Sequence, residues 1–256
     1  MSYKDYRYQD YQATTVAEDS TSPNTGITIR QVGAVIAAGE TQYDEEHVLS
    51  FPLPNVTAMC LDVAYTTWVE SQHFLQDEKF LRFFKPVTPE GTVILTEDSV
   101  FFDLLQRRMM AIVFAYTALE SFANESIPDH FIFRGKSRDK KSAAEYTDYS
   151  KVQAERLSLE IKIYEVLPLI FKLPTPKGRI TGERYKSLEK LRDRVIHMKS
   201  KDRRSSIAGE ENIWKELLDQ FSPNVAIEAK EIIGYYLNSL DEKDRPRWYR
   251  EFPWKK

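Results

Sequence analysis

Cysteine is almost absent from this sequence, since Cys60 is the one cysteine in 256 residues. A single thiol cannot form a disulfide within the chain, and it cannot supply a cysteine-rich zinc site. The sequence also lacks an apolar leader at its start and any run of the roughly 18 apolar residues that a membrane helix needs. We therefore expect a cytoplasmic protein that neither enters nor crosses a membrane.

Histidine is also sparse, with four in the chain. Three of them, His47, His73 and His130, are scattered and lack the ligand spacing of a zinc site. No segment repeats at a fixed period, which argues against a solenoid. The sequence therefore predicts no metal site and no cofactor.

The charged residues are distributed unevenly. Residues 1–100 carry 6 Lys and Arg against 15 Asp and Glu, whereas residues 101–256 carry 30 against 24. A basic half favours a polyanionic partner such as RNA, because clustered Lys and Arg displace counterions from phosphate. An ordinary solvated helical surface would give the same balance.

The first 96 residues differ in composition from the rest. Residues 1–25 are polar and Tyr-rich and predict a disordered or loosely attached tail. Residues 26–96 are acidic and predict an α/β or irregular extension. Within it, β-branched residues at 26–39 and 93–95 favour short strands, while 56–74 and 77–84 favour helices capped by Asn55 and Asp77.

Residues 97–245 predict a helical bundle, followed by a C-terminal tail at 246–256. Four segments have the apolar spacing of helices, namely 97–125, 151–172, 182–200 and 224–240. The second of them is apolar on more than one side, which is typical of a central helix. Four helices of this length can close one core, so we predict an all-α fold.

The third helical segment combines an apolar stripe with a basic ridge. At about 100° per residue, the stripe consists of Tyr185, Leu188, Leu191, Val195 and Met198. His197 falls on the far side, within a ridge of four cations: Lys186, Lys190, Arg194 and Lys201. A lone imidazole among cations suits a phosphate-bearing ligand. A solvated helix face would have the same composition.

Arg192 lies at the rim of that stripe, where it can cross to a neighbouring helix or bind a phosphate. Glu120 lies at the rim of the first helix, next to Asn124, and we predict that both face the helix of Arg192 and orient this arginine. Asp193 comes four residues before His197 and is predicted to hydrogen-bond the imidazole. Alternatively, Glu120 belongs to an ordinary structural ion pair.

A long basic connection follows the first helix of the bundle. Residues 133–141 read FRGKSRDKK and include Arg134, Lys136 and Arg138, within a loop of about 25 residues. These three cations are candidates for binding RNA from a lid. A disordered loop is the alternative.

Two stretches resemble the HEPN superfamily (higher eukaryotes and prokaryotes nucleotide-binding domains). Residues 192–197, Arg-Asp-Arg-Val-Ile-His, resemble its Arg-x4-6-His motif, and residues 118–124, Ala-Leu-Glu-Ser-Phe-Ala-Asn, resemble its early helix. The resemblance covers roughly residues 98–240. It implies a HEPN-like antiparallel helical bundle, usually a homodimer in which two Arg/His motifs meet in a cleft. Asp193 departs from the pattern, because active relatives often have Asn there.

The resemblance implies a metal-independent endoribonuclease of a prokaryotic defence or toxin–antitoxin type. In such an enzyme the 2′-hydroxyl attacks the adjacent phosphorus and leaves a 2′,3′-cyclic phosphate. His197 would be the general acid or base and Arg192 the phosphate clamp. Glu120 and Asn124 would orient Arg192, and Asp193 would orient the imidazole. The partners implied are RNA or a nucleotide, a second copy of the chain, and an antitoxin or other defence-system protein.

Two other functions fit the same residues. Some members of the superfamily bind nucleotides, RNA or proteins without catalysis, so a non-catalytic module is the first alternative. The second is a helical adaptor whose basic face binds an acidic protein. Salt-sensitive RNA affinity would count against the adaptor, because phosphate contacts weaken as salt rises.

Overall fold

A computed structural model describes residues 7, 20–21, 28–29, 38–42, 48–76, 84–86, 93–95, 98–136, 146–198, 202, 212–219 and 221–254. The chain divides into two compact units, one formed by Met1–Met59 with Asp241–Lys256 and the other by Cys60–Leu240. The boundaries expected at residues 25, 96 and 245 rest on composition and stay predictions.

The first unit contains two antiparallel hairpins. β1 (Ser20–Thr21) pairs with β2 (Thr28–Ile29), and β3 (Ala38–Gln42) pairs with β4 (Val48–Pro52). Helix α1 (Val56–Gln76) begins in this unit, where Asn55 Oδ1 accepts a hydrogen bond of 2.8 Å from the Ala58 N–H. Asn55 is therefore the N-cap that the sequence predicts.

The second unit is mainly helical. Two further hairpins pair β5 (Phe84–Pro86) with β6 (Val93–Leu95), and β7 (Phe133–Lys136) with β8 (Tyr146–Tyr149). The helices are α2 (Asp98–Glu125), α3 (Lys151–Glu155), α4 (Leu159–Ile161), a π-helical segment (Lys162–Val166), α5 (Leu167–Phe171), α6 (Ile180–Ile196), α7 (Ile213–Leu218) and α8 (Val225–Leu237).

The three long helices α2, α6 and α8 pack against one another and enclose the main core. Their apolar stripes bury Ile112 and Leu119 from α2, Leu188 from α6, and Ile232 and Ile233 from α8. Burial of such stripes is the main stabilising term in a helical bundle. The all-α class predicted from the sequence is confirmed at this level, and the antiparallel HEPN-like arrangement stays a prediction.

Tyrosine hydroxyls tie the π-helical segment to its neighbours. Tyr164, in that segment, donates to the Gly182 carbonyl of α6 at 3.0 Å, and Tyr236 of α8 donates to the Ile163 carbonyl at 2.6 Å. A Cβ at Gly182 would lie 2.4 Å from the Pro176 carbonyl oxygen, so only glycine allows this approach. These contacts fix the N-terminal end of α6.

The predicted helices are present with different limits. The first, predicted at 97–125, is α2, and the third and fourth are α6 and α8, which end at Ile196 and Leu237. The second, predicted as one helix over 151–172, is wrong in detail, because it is interrupted between Glu155 and Leu159. The polar residues Arg156 and Ser158 are exposed at this break, and Leu157 between them packs inward.

Two local predictions need correction. The basic connection at 133–141 was predicted as a loop, but Phe133–Lys136 is strand β7, whose Phe133 ring is buried and stacks on Tyr149. Phe84 was predicted in a helix and lies in β5. Residues 77–83, 199–200 and the cap predicted at Asp77 lie outside the described residues. Within the part of the chain that the structure describes, no helix is both long and apolar enough to cross a membrane.

Candidate active site

Helix α6 turns its predicted stripe toward the core. Tyr185, Leu188 and Val195 are buried, while Leu191 and Met198 are half-buried. The helical spacing therefore predicted the core-facing side of α6 correctly, and with it the placement of Arg192 at the edge of the core.

The Arg192 guanidinium is held on three sides. Its Cζ lies 4.3 Å from the centre of the Tyr116 ring, one nitrogen lies 2.7 Å from Asp193 Oδ1, and another lies 3.9 Å from Glu120 Oε1. The side chain keeps 26% of its surface exposed. The predicted contact between Glu120 and Arg192 is present, and a stacked, paired guanidinium of this kind is positioned before any ligand arrives.

Nearby groups keep Arg192 cationic. Burial lowers the pKa of Arg192, but the hydrogen bond to Asp193 and the negative charges of Asp193 and Glu120 outweigh that effect and raise the pKa overall. The guanidinium is therefore a permanent positive charge with an accessible edge. Such a group can bind a phosphate or stabilise negative charge that develops on one.

A buried tyrosine pair supports the ring under Arg192. The Tyr185 hydroxyl donates a hydrogen bond of 2.6 Å to Glu189 Oε1 and also interacts with the Tyr116 hydroxyl. Burial is the main cause that raises the pKa of both phenols, so both stay neutral at physiological pH. This network joins α2 to α6 and restrains the Tyr116 ring on which Arg192 stacks.

Asn124 was predicted to orient Arg192, but its side chain binds Lys162 instead. Its Oδ1 accepts a hydrogen bond of 2.6 Å from the Lys162 amine, which also donates to the Glu155 carbonyl at 2.7 Å. Lys162 is only 4% exposed and begins the π-helical segment. Asn124 lies one turn of α2 after Glu120. Its side-chain oxygen accepts a hydrogen bond from the buried amine of Lys162.

Lys162 was not among the site residues predicted from the sequence. Burial lowers the pKa of this amine, although the charges of Glu120 and Glu155 partly offset the effect. The available signal was its position in a segment that is apolar on most sides, where a charged residue needs partners. Insertion of a π-helical turn is frequent at functional sites, and Lys162 places a cation close to Glu120.

His197 ends α6. Its backbone N–H donates to the Asp193 carbonyl at 2.8 Å, its φ of −112° and ψ of 54° leave the helical region, and its side chain is exposed. The predicted hydrogen bond from the imidazole to the Asp193 carboxylate is wrong, because that carboxylate binds Arg192. Among the described residues, no side chain hydrogen-bonds the imidazole, so it is open to an external ligand.

Arg192 and His197 are separated along the chain of α6. Five residues of an α-helix correspond to a rise of about 7.5 Å. His197 follows the last helical residue, Ile196, and its φ and ψ have left the helical region. A single phosphate contacts both groups most readily if one of them comes from a second chain.

Arg194 is not part of an exposed basic ridge, so its predicted RNA-binding role is wrong. It is only 7% exposed and forms ion pairs with Glu216 and with Asp202, the latter at 3.1 Å. Asp202 also accepts a hydrogen bond from the Ile213 N–H at 2.9 Å. A helical projection could not reveal this, because helix α7 and Asp202 cover Arg194 from later in the chain.

The other predicted RNA-binding residues have separate positions. Lys186 and Lys190 are exposed on α6, and Arg134 and Lys136 are exposed on β7. The structure gives no contact that brings the two pairs together. Lys201 and Arg138 lie outside the described residues, so their predicted roles stay predictions.

In the described ranges, no group of three or more His, Cys, Asp and Glu side chains is close enough to hold a metal ion. Comparisons of the chain with protein-family models, curated proteins and solved structures find no match. The features that bear on function are therefore the geometry around Arg192 and His197 and the resemblance of the sequence motifs.

Proposed function

We propose that the protein is a metal-independent endoribonuclease of a prokaryotic defence or toxin–antitoxin type. In this proposal the RNA 2′-hydroxyl attacks the adjacent phosphorus and the products carry a 2′,3′-cyclic phosphate. The observation that supports it most is the Arg192 guanidinium, which is stacked, paired and still partly exposed. The exposed His197 follows it with the spacing of the resembling motif.

Arg192 would stabilise the transition state. Attack of the 2′-hydroxyl places two negative charges on a five-coordinate phosphorus, and a fixed guanidinium lowers the energy of that charge. Tyr116 and Glu120 hold the guanidinium, so little reorganisation is needed during the reaction. Glu120 is thus proposed as a positioning residue.

His197 would transfer the protons. An imidazole can accept the proton of the 2′-hydroxyl or donate one to the leaving 5′-oxygen near neutral pH. Its exposed position at the end of α6 leaves the side chain accessible to substrate. Proton transfer and charge stabilisation then come from an imidazole and a guanidinium, which is chemistry that proceeds without a metal ion.

The separation of Arg192 from His197 along α6 supports a composite site in a homodimer. If two copies pair so that His197 of one chain approaches Arg192 of the other, both groups can contact one phosphate. The exposed cations Lys186 and Lys190 on the same helix, and Arg134 and Lys136 on β7, are then available for the RNA backbone.

One observation favours a second candidate, a non-catalytic HEPN-like module that binds RNA, a nucleotide or a protein. Asp193 Oδ1 occupies one nitrogen of Arg192 at 2.7 Å, and its negative charge competes with a phosphate for that group. The two candidates differ in their response to loss of the imidazole. His197→Ala would abolish cleavage by an enzyme and leave the RNA affinity of a binding module almost unchanged.

The test is incubation of purified protein with total RNA in EDTA, followed by end-group analysis of the fragments. We expect His197→Ala and Arg192→Ala each to lower cleavage at least about 100-fold, because proton transfer and charge stabilisation each contribute at least that much. His130→Ala and Arg156→Ala are matched controls at exposed sites, and they should cleave at the wild-type rate.

Fragments with 2′,3′-cyclic phosphate ends from wild type and from both controls would support the enzyme. Equal cleavage by wild type and His197→Ala would reject His197 as the acid or base. RNA that wild type binds but leaves intact across substrates would favour the non-catalytic module.

A further inference from the structure

A cavity of about 330 Å³ lies in the second unit, bounded by α1, α2, α6, α7 and the start of α8. Its volume is in the range of small-molecule sites in proteins. Arg192 and His197 do not line it. The cavity is therefore distinct from the proposed active site.

Arg108 is the unusual residue of this cavity. It is fully buried, and none of its three guanidinium nitrogens has a hydrogen-bond partner in the described part of the chain. One face of the guanidinium stacks on Trp68, with Cζ 3.9 Å from the ring centre. Stacking covers one face of the guanidinium, and its buried N–H edge is left without an acceptor.

Arg108 remains charged at neutral pH. Burial lowers its pKa to about 10, and the charge of Asp219 opposes that change in part. A buried cation without hydrogen bonds is costly, because it has lost its hydration without gaining partners. An anion in the cavity would supply the missing acceptors.

The carboxylates that line the cavity are paired, and Arg184 pairs with Glu231 as well as with Glu228. The carboxylate of Glu216 pairs with Arg194, and that of Glu228 lies 3.6 Å from Arg184. Lys190 also lines the cavity, and the described residues offer it no carboxylate partner. Arg108 and Lys190 are therefore the two cations available to a ligand.

The remaining wall is largely apolar. Ile112, Leu188, Leu217 and Val225 contribute to it, together with the hydroxyl-bearing Ser187. Apolar walls favour a ligand whose body is also apolar, because its transfer from water is favourable. A bare inorganic anion would leave these walls unfilled.

From these observations we infer that the cavity binds a small organic oxyanion, with one phosphate or carboxylate group paired to Arg108 and an apolar or aromatic body against the aliphatic wall. Lys190, at the exposed side, adds a second positive charge. The guanidinium edge matches the geometry of either oxyanion. The contact with Arg108 does not depend on the proposed RNA cleavage, whereas Lys190 is also one of the cations proposed for the RNA backbone.

Isothermal titration calorimetry tests the site with phenyl phosphate and phenylacetate, which carry the two oxyanions on the same kind of body. We expect at least one of them to bind saturably, at one site per chain. Arg108→Met should weaken binding at least about tenfold, because hydrogen bonds to a charged group are lost. Lys190→Met should weaken it by a smaller factor, since Lys190 is exposed.

Lys186→Met is the matched control, because Lys186 is an exposed cation one turn earlier on α6 and does not line the cavity. It should bind as the wild type does. Thermal unfolding of Arg108→Met checks its fold, and Lys190→Met is a surface change that tests the site independently.

Binding of phenyl phosphate alone would identify the ligand as a phosphate ester. Binding of phenylacetate alone would identify it as a carboxylate. Three outcomes would overturn the inference: no saturable binding of either probe, unchanged binding by both Arg108→Met and Lys190→Met, or inorganic phosphate binding as tightly as the preferred probe.

Discussion

Arg192 and Arg194 lie two residues apart on α6, and their surroundings assign them opposite roles. Arg192 is stacked on Tyr116 with one edge open, which suits a ligand-binding group. Arg194 is buried and forms ion pairs with Asp202 and Glu216, which come after α6 in the chain. Burial and pairing, rather than charge alone, therefore distinguish the functional cation from the structural one.

Replacement of Arg194 by Ala should destabilise the fold by about 3–5 kcal/mol, because it removes two ion pairs, one of them to a buried carboxylate. Asp202 is only 1% exposed, so water cannot replace the lost partner. The midpoint of urea unfolding measures the change. Lys186→Ala, at an exposed position of the same helix, should change the stability by no more than about 0.5 kcal/mol.

If Arg194→Ala unfolded at the wild-type urea concentration and bound RNA more weakly, the ion pairs would not be structural. Arg194 would then return to the RNA-binding surface that its position in the sequence first indicated.

At the scale of elements, the helices of the second unit are joined by buried tyrosines. Tyr164 connects the π-helical segment to α6, Tyr236 connects α8 to that segment, and Tyr116 and Tyr185 connect α2 to α6. Each phenol is buried in the core and is neutral at pH 7. The packing of these helices therefore depends on the protonation of the tyrosines.

Stability should fall steeply above about pH 10. Burial raises the pKa of Tyr116, Tyr164, Tyr185 and Tyr236, that of Tyr164 to about 12. Their contribution is complete below the unfolded-state pKa near 10 and is lost above it, because the unfolded chain then releases protons that the folded one retains. Each tyrosine contributes a slope of about 1.4 kcal/mol per pH unit. Lys162 has the opposite effect on the pH dependence of stability, because burial lowers its pKa, but it is a single group.

Urea unfolding between pH 8 and about pH 11 measures this dependence. Tyr164→Phe should make the free energy of unfolding fall less steeply with pH, by the contribution of one tyrosine. At pH 7 the same change should lower the stability by about 1 kcal/mol, because the hydrogen bond to the Gly182 carbonyl is lost. A free energy of unfolding that stayed constant to pH 11 would show that the phenols are not protected in the folded protein.

Across the whole molecule, local patterns were predictable and long-range pairings were not. The stripe of α6 and the cap at Asn55 follow from residues within a few positions of one another, and the sequence predicted both. The burial of Arg194 depends on Asp202 and Glu216, and the role of Asn124 depends on Lys162, 38 residues away. No helical projection contains these partners, because they come from other elements.

The candidate site was partly predictable, because some of its contacts follow from the positions of residues on their own helices. Glu120 and Arg192 were paired from their positions at the rims of two apolar stripes, which the packing of α2 on α6 brings together. The imidazole was expected to bind Asp193 because four residues span one helical turn. The structure differs because Arg192 is adjacent to Asp193, and its positive charge takes the carboxylate.

In the proposed composite site, Arg192 of one chain and His197 of another act on one phosphate. Mixing Arg192→Ala protein with His197→Ala protein, after unfolding and joint refolding, tests it most directly. Half of the resulting dimers would contain one chain of each kind, and each would hold one intact site. We predict recovery of about a quarter of the wild-type cleavage, with 2′,3′-cyclic phosphate ends, from two proteins that are inactive alone. A mixture that stays inactive while forming dimers, or wild-type protein that never cleaves RNA, would contradict the account.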